Sequence, residues 1–316
     1  MNLGPTIIEN EFAEGFRMWA CRLIVTAADP HWLDAAVREV TGYGASVIGC
    51  DAEAGRACDV PADATLDGRA GAALLFFAFN AKALAKAMPN RVGQCLMTCP
   101  TTAVFDGMPE VAAGEDSARL DLGAKLRYFG DGNQKSKRIE SSDGQSRARR
   151  FWRVPVMDGE FLCEDTVGCV KAVAGGNFLI CGASQAAALA AVRRAVDAIA
   201  PLPRVITPFP GGAVRSGSKV GSKYKALFAS TNDEYCPTLR HGTRSRLRDG
   251  VQSVYEIVIN GLTERDVAGA MRIGIEAAAG DGVIAISAGN YGGNLGKFHF
   301  HLHDILGGGD RAGGVA

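Results

Sequence analysis

Residues 251–274 read VQSVYEIVINGLTERDVAGAMRIG, and this stretch decides the fold class. The apolar run from Val251 to Ile259 predicts a strand. Thr263 to Asp266 resembles a capping box, with Asp in place of the usual Glu or Gln, and predicts the start of a helix. The predicted buried face of that helix consists of Val267, Ala270, Met271 and Gly274. Val283 to Ser287 predicts another strand. Residues 251–287 together therefore form a strand–helix–strand unit.

Similar units precede this one along the chain. The first combines a strand at Arg22 to Ala27 with a helix that Asp29 caps, Pro30 begins and Gly42 stops. Ala45 to Gly49 is its predicted return strand.

The second unit begins with a buried strand at Ala72 to Phe79. Asn80 then caps a short helix that Pro89 ends, since proline disrupts a helix interior. Val92 to Met97 is the predicted return strand.

The third unit opens with a strand at Asn177 to Cys181, and Ser184 caps the helix that follows. Helical spacing predicts that its buried face carries Leu189, Val192, Val196 and Ile199. Prolines close the helix, and Arg204 to Thr207 is the return strand.

Two such units in tandem make a split βαβ, or ferredoxin-like, sandwich. The four units therefore predict an α+β protein of two ferredoxin-like lobes, each an antiparallel sheet covered by helices. We place the lobes at residues 1–150 and 151–306 and expect a disordered, Gly-rich tail at 307–316. A doubly wound parallel sheet is the alternative, but it requires longer and more regular alternation. Within the first lobe, the basic, Ser-rich stretch Lys135 to Arg150 predicts an exposed, mobile insertion.

The composition of the 316 residues argues against several classes of protein. Lys plus Arg and Asp plus Glu each number 34, so no net field attracts nucleic acid. No apolar run reaches the roughly 18 residues of a membrane helix, and Met1 to Phe16 lacks the pattern of a signal peptide. The nine Cys residues include no Cys-x-x-Cys pair, which fits a reducing compartment. We expect a cytoplasmic protein that binds neither nucleic acid nor membrane.

Glu256 interrupts an apolar strand. Period-two alternation places it on the face of Val254 and Val258, and the opposite face is apolar too. Burial raises the pKa of such a carboxyl group, and a neutral carboxylic acid can donate a hydrogen bond to a developing oxyanion. The pattern alone leaves open a structural carboxylate paired with an Arg of another element.

Two polar segments precede the Glu256 strand. Phe209 to Tyr224 is rich in Gly and Ser but fails the P-loop pattern. It could hold an anionic ligand through backbone N–H groups and Lys219 or Lys223, and a flexible surface loop is the alternative. Ser230 to Pro237 predicts either a plain turn or the wall of a pocket.

Two later motifs have structural interpretations. His299, His301 and His303 alternate and would share one face of a strand. Neighbouring same-face His residues need not converge on a metal, so we predict a solvent-facing terminal strand and no metal site. The run Gly289 to Gly296 lacks the Gly-x-Gly-x-x-Gly pattern of a dinucleotide site and predicts a turn between two closing strands.

Ordered motifs along nearly the whole chain point to one family. They are TGYGASVI (41–48), AEAG (52–55), GQC (93–95), FGDG (129–132), AGGNF (174–178), PFPGG (208–212), SKVGSK (218–223), ASTND (229–233), VYEIVINGL (254–262) and HLHD (301–304). Together they resemble the formylmethanofuran–tetrahydromethanopterin formyltransferases.

The resemblance implies formyl transfer from N-formylmethanofuran, or a methylofuran analogue, to N5 of tetrahydromethanopterin. Both compounds would be cosubstrates of a homotetramer that holds no metal or prosthetic group. The catalytic glutamate of the family falls on Glu256. The implied substrate-binding residues are Glu53, Lys219, Lys223, Ser230, Thr231, Asn232, Asp233 and Tyr235.

Three features depart from the archaeal pattern of this family: the basic stretch Lys135 to Arg150, the basic stretch Leu239 to Arg248 and the Gly-rich tail. With the balanced charge, they make the chain more similar to the version in methylotrophic bacteria, which works with formyl-hydrolase subunits during formaldehyde oxidation. The first alternative function is a non-catalytic subunit that binds a pterin or scaffolds a hydrolase. The second is nucleic-acid binding through the two basic stretches, which the neutral total charge disfavours.

Overall fold

A computed structural model describes residues 1–45, 50–139, 148–217, 219–225 and 229–307. Within these residues the fold mixes α-helices and β-strands, and none of the helices there is long and apolar enough to span a membrane. Three predictions fall wholly or partly outside them: the strand at Ala45 to Gly49, the middle of the basic insertion at 140–147, and the tail beyond residue 307.

The helices and strands are numbered in chain order. The helices are α1 (Pro30–Ala45), α2 (Ala81–Arg91), α3 (Gly123–Leu126), α4 (Gln185–Ile199), α5 (Glu264–Ala278) and α6 (Leu302–Leu306). The strands are β1 (Asn2–Leu3), β2 (Thr6–Ile8), β3 (Phe12–Thr26), β4 (Glu53–Val60), β5 (Gly71–Ala78), β6 (Ala103–Asp106), β7 (Ser117–Asp121), β8 (Lys135–Ile139), β9 (Arg149–Val156), β10 (Gly159–Glu164), β11 (Thr166–Gly182), β12 (Val205–Ile206), β13 (Lys219–Val220), β14 (Ala229–Ser230), β15 (Ser253–Gly261), β16 (Val283–Ser287) and β17 (Phe298–His301).

The chain divides into two compact units. Unit I comprises Met1–Arg17, Val173–Pro201 and Phe209–Ala316, and unit II comprises Met18–Ala172 and Leu202–Pro208. The long strands β3 and β11 each run from one unit into the other. This division differs from a single cut at residue 150.

Unit II contains an antiparallel sheet in the order β6–β3–β5–β4, built from the chain sequence β3, α1, β4, β5, α2, β6. Both predicted caps are confirmed. The Asp29 carboxylate accepts hydrogen bonds from the N–H groups of His31 and Trp32, and the Asn80 side chain accepts one from Ala83 at 2.8 Å. Antiparallel pairing agrees with the predicted α+β class rather than with a doubly wound sheet.

Two predicted ends in unit II are wrong. Pro89 lies inside α2, and the predicted return strand at Val92 to Met97 is instead a π-helical turn, Val92–Leu96. Proline cannot donate to the carbonyl of Ala85, and the Lys125 ammonium group supplies that hydrogen bond at 3.1 Å. The helix therefore tolerates Pro89, and β6 is the return strand.

The helix of the first predicted strand–helix–strand unit also continues beyond the residue at which it was predicted to stop. Helix α1 passes through Gly42 to Ala45, because a single glycine weakens a helix by only about 1 kcal/mol relative to alanine. Besides β3, the strand that pairs with β5 is β4, which the sequence pattern did not reveal.

Unit I contains three central strands in the order β15–β11–β16, all antiparallel. Helix α5 covers one face of this sheet so closely that a Cβ at Gly274 would lie 2.9 Å from the Phe178 ring. The predicted caps are again confirmed: Ser184 accepts from Ala187 N–H and Thr263 accepts from Asp266 N–H, both at 3.1 Å.

The buried face of α4 agrees with the prediction at Val192 and Ile199 and differs from it at Leu189 and Val196. Leu189 is 42% exposed and Val196 is only half-buried. The face that packs inward is built mainly from small side chains: Ala188, Ala191, Val192, Ala195 and Ile199. Sequence patterning favoured the larger apolar residues, whereas close packing of the helix selected the neighbouring alanine stripe.

The basic insertion is partly regular structure. Residues 135–139 form β8, which pairs with β9. Arg149 donates from Nε to the buried Glu164 carboxylate at 2.8 Å. The predicted exposure is confirmed for residues 135–139, but these residues and 149–150 form a β-ladder rather than an irregular insertion.

Candidate active site

Glu256 lies in the middle of β15, and its side chain is buried with 5% exposure. It stands opposite Leu179 of β11, and Leu179 stands opposite Ser287 of β16. Residues directly opposite in a sheet share a face, so these three side chains form a row. The α5 helix covers the other face, that of Phe178. The predicted burial of Glu256 is confirmed, and its carboxyl group lies on the face away from α5.

A loop pairs with the Glu256 backbone on the side away from β11. Val214 N–H donates to the Glu256 carbonyl at 2.8 Å, and Glu256 N–H donates to the Val214 carbonyl at 3.0 Å. This bridge brings the Gly-rich segment that begins at Phe209 to the edge of β15.

Tyr235 covers the Glu256 face of the sheet. It is buried against Leu179 and Cys181, and its hydroxyl hydrogen-bonds to the Ser287 hydroxyl at 2.7 Å. Burial raises the pKa of the Tyr235 phenol, partly offset by the Ser287 hydrogen bond. Strands in a sheet are about 4.8 Å apart, so this hydroxyl pair lies roughly 10 Å from Glu256 across Leu179.

The predicted polar cluster, Ser230 to Pro237, is held together by hydrogen bonds around Tyr235. Lys219 Nζ donates to Asp233 at 2.6 Å, and that bond holds the pKa of Asp233 below its ordinary value and raises the pKa of Lys219. Ser230 donates to the Gly221 carbonyl at 2.8 Å, and the Thr231 hydroxyl lies 3.2 Å from Cys236 Sγ. Asn232 precedes the short 3-10 turn Asp233–Tyr235. The cluster thus contains the predicted turn, which side-chain hydrogen bonds stabilise.

The remaining predicted binding residues are placed less closely. Lys223 lies on the exposed part of the loop between β13 and β14. Glu53 belongs to unit II, where it is the first residue of β4 and stands opposite Phe77. The structure thus gathers most predicted residues in unit I and leaves Glu53 outside that group.

Arginines of the basic stretch Leu239 to Arg248 form ion pairs and hydrogen bonds within unit I. Arg246 pairs with Glu11, and Arg248 pairs with Glu9 at 2.5 Å. Arg240 donates to the Val251 carbonyl at 2.8 Å. These contacts fix the segment that follows Tyr235, and they weaken the nucleic-acid alternative.

The three histidines do not share one strand. Strand β17 ends at His301, and His303 lies in α6, where its ring is 2.9 Å from the Ile8 carbonyl. Among the described residues, no group of three or more His, Cys, Asp or Glu side chains is arranged to hold a metal ion.

Sequence reasoning missed Glu14 of β3, a second buried carboxyl group of unit I. Its two oxygens accept hydrogen bonds from four backbone N–H groups of the run Tyr291 to Gly296. Burial raises the pKa of Glu14, but these hydrogen bonds outweigh burial and hold the pKa below its ordinary value. The available signal was an acidic residue between apolar ones in FAEGF, residues 12–16.

Two family models match the chain. The model described as formylmethanofuran-tetrahydromethanopterin formyltransferase matches residues 1–156, and the model described as FTR, proximal lobe, matches residues 159–305.

Curated and solved relatives agree with these models. A formylmethanofuran–tetrahydromethanopterin formyltransferase of Methylococcus capsulatus is 53% identical, over 95% of this chain and 97% of its own. A chain of the formyltransferase/hydrolase complex of Methylorubrum extorquens, solved with methylofuran, is 46% identical with a TM-score of 0.89, covering 97% of this chain and 98% of its own. The formyltransferase of Methanosarcina barkeri is 43% identical with a TM-score of 0.87, covering 96% and 100%. The chain therefore belongs to the formylmethanofuran–tetrahydromethanopterin formyltransferase family.

Proposed function

We propose that this chain transfers a formyl group from N-formylmethanofuran, or a methylofuran analogue, to N5 of tetrahydromethanopterin. The observation that carries the proposal is the buried Glu256 carboxyl group on the sheet face away from α5, in a chain of this family. Both compounds act as cosubstrates in a ternary complex, and the reaction needs no bound metal or prosthetic group.

The chemistry is an acyl transfer between two nitrogens. N5 of the reduced pterin attacks the formyl carbon, a step that gains from proximity and orientation. The resulting tetrahedral intermediate carries an oxyanion, to which Glu256 in its protonated form donates a hydrogen bond. Collapse breaks the bond to the amine of the donor, and the proton lost by N5 ends on that amine. The products are N5-formyl-tetrahydromethanopterin and the free amine of methanofuran.

The substrate-binding residues are the polar groups around this face. Lys219, Lys223 and the cluster Ser230 to Asp233 supply cationic and hydrogen-bonding groups for anionic parts of the cosubstrates, and Tyr235 supplies an aromatic wall. Glu53 is retained as a binding residue on the family resemblance. The donor of a relative supports the furan assignment, since that complex was solved with methylofuran.

The finer architecture is part of the same proposal. We assign two ferredoxin-like lobes, near 1–150 and 151–306. The β6–β3–β5–β4 order of unit II supports the first, and the β15–β11–β16 order of unit I supports the second. The junction of the two family models between residues 156 and 159 supports a division near this point.

The assembly and location are part of the same proposal. We propose a cytoplasmic homotetramer that associates with formyl-hydrolase subunits during formaldehyde oxidation. The solved formyltransferase/hydrolase complex that contains a similar chain supports the hydrolase partner.

The alternative is a non-catalytic subunit that binds a pterin or scaffolds a hydrolase. The purified chain alone, mixed with formylmethanofuran and tetrahydromethanopterin, discriminates the two by the absorbance of the N5-formyl product. We expect product. Pterin binding by the folded chain without product would instead support the scaffold.

A further inference from the structure

The Glu14 carboxylate is the centre of a closed hydrogen-bond cage. One oxygen accepts from Tyr291 N–H at 2.6 Å and Gly293 N–H at 2.5 Å, and the other accepts from Leu295 N–H at 3.1 Å and Gly296 N–H at 2.6 Å. Glu14 is only 1% exposed. The loop Tyr291 to Gly296 is therefore wrapped around one buried anion, which fixes its conformation.

The segment that enters this loop is bonded to β11, the strand that pairs with the Glu256 strand. Asn177 of β11 stands opposite Val258 and lies two residues from Leu179, the partner of Glu256. Diagonal neighbours of this kind are about 7–8 Å apart. Asn177 accepts from Gly289 N–H at 2.6 Å and donates to the Gly289 carbonyl at 3.0 Å. The chain that enters the loop is thus tied to the face that carries Glu256.

The caged loop presents an aromatic pair. The rings of Phe16 and Tyr291 lie 6.1 Å apart at 55°, and both residues are half-buried. Phe16 follows Glu14 by two residues and so points to the same side of β3. A Cβ at Gly175 would lie 3.0 Å from the Phe16 ring, which places this ring against the bulge that precedes Asn177 in β11.

We propose that Glu14 is a positioning residue for formyl transfer: it fixes the loop so that Phe16 and Tyr291 form a wall for the planar heterocycle of one cosubstrate. Aromatic rings favour contact with flat rings in offset or edge-on geometry. Both cosubstrates carry such a ring, a pterin in one and a furan in the other. The assignment rests on the proposed function.

The charge of Glu14 is essential to the cage, because each oxygen serves two donors. In Glu14→Gln, one oxygen becomes an NH₂ group that faces two backbone N–H donors and can accept from neither. Two of the four hydrogen bonds that hold the loop are therefore lost. Glu14→Asp keeps the charge on a shorter side chain and preserves more of the cage.

Steady-state kinetics with each cosubstrate varied in turn test the proposal. We expect Glu14→Gln and Tyr291→Leu to raise the KM of the same cosubstrate by about tenfold, with kcat within about threefold and the other KM unchanged. Glu14→Asp should lie closer to wild type. Glu276→Gln, on the exposed face of α5, is the matched control and should behave as wild type. The KM that rises tells whether the wall takes the pterin or the furan.

A lower Tm of Glu14→Gln with both KM values unchanged would overturn the proposal, since that is a structural role alone. So would effects of the two variants on different cosubstrates. If Glu14→Gln does not fold, Glu14→Asp and Tyr291→Leu decide, and wild-type KM values in both overturn the proposal. The proposed role of Glu256 is tested separately, because its variant should change kcat and leave KM values intact.

Discussion

Glu14 and Glu256 are both buried carboxyl groups of unit I, and their surroundings differ. Glu14 accepts four backbone hydrogen bonds and is held as an anion with a lowered pKa. Glu256 stands in a row with an apolar neighbour, Leu179. The Glu14 anion holds a loop, whereas Glu256 is the proposed hydrogen-bond donor to the oxyanion.

The stability that Glu14 contributes depends on pH. A carboxyl group whose pKa is lowered by folding stabilises the fold above its unfolded pKa, and this contribution is lost as the pH falls through the folded pKa. Glu14→Gln should therefore lower the free energy of unfolding most above about pH 5, and its difference from wild type should shrink toward about pH 3. Urea unfolding across this range measures it, and a difference that stays constant with pH would contradict the account.

The sequence revealed Glu256 but not Glu14, for a physical reason. The pattern within one strand predicts which side chains are buried, and Glu256 interrupts a strand whose two faces are both largely apolar. The partners of Glu14 lie 277 to 282 residues away along the chain. Local patterns hold no information on a cage assembled by tertiary structure.

At the scale of elements, the sequence predicts the start of a helix correctly where the capping side chain bonds within its own first turn. The caps Asp29, Asn80, Ser184 and Thr263 are confirmed because each side chain bonds a backbone N–H within its own first turn. The end of α2 was mispredicted because Lys125, 40 residues away from Ala85, replaces the bond that Pro89 cannot make. In α2 the carbonyl that Pro89 leaves without a backbone donor is satisfied by Lys125, and the helix continues to Arg91.

Replacement by alanine should have opposite effects on stability at two glycines of α5. A Cβ at Gly274 would lie 2.7 Å from the Ile199 side chain, whereas no atom lies within 4 Å of a Cβ at Gly269. Gly274→Ala should destabilise the protein by about 1–3 kcal/mol through overpacking. Gly269→Ala should stabilise it by about 0.5–1 kcal/mol through helix propensity. Thermal or urea unfolding of both variants tests the pair, and equal shifts would contradict the packing of α5 on α4.

At the scale of the whole molecule, exposed aromatic side chains are candidates for burial in the proposed assembly. Tyr128 and Phe129 of unit II are 68% and 66% exposed and adjacent in the chain. Exposed apolar groups of this size often mark interaction surfaces. The tetramer was expected from the family resemblance alone. No sequence pattern shows which of these side chains a partner would cover.

The proposed tetramer has a direct test. Size-exclusion chromatography with light scattering should give a mass about four times the 33.1 kDa of the chain, and dilution should shift it toward smaller species by mass action. A mass near 33.1 kDa at all concentrations would rule out the homotetramer and leave partner subunits to cover these aromatics.

The most direct test of the central claim is the turnover of Glu256→Gln. Glutamine keeps the size of the side chain and removes the carboxyl group. We expect a kcat lower by about a hundredfold or more, with both KM values nearly unchanged, because the lost interaction acts only in the transition state. Glu276→Gln, measured in parallel, should retain wild-type turnover. Wild-type turnover in folded Glu256→Gln would contradict the account.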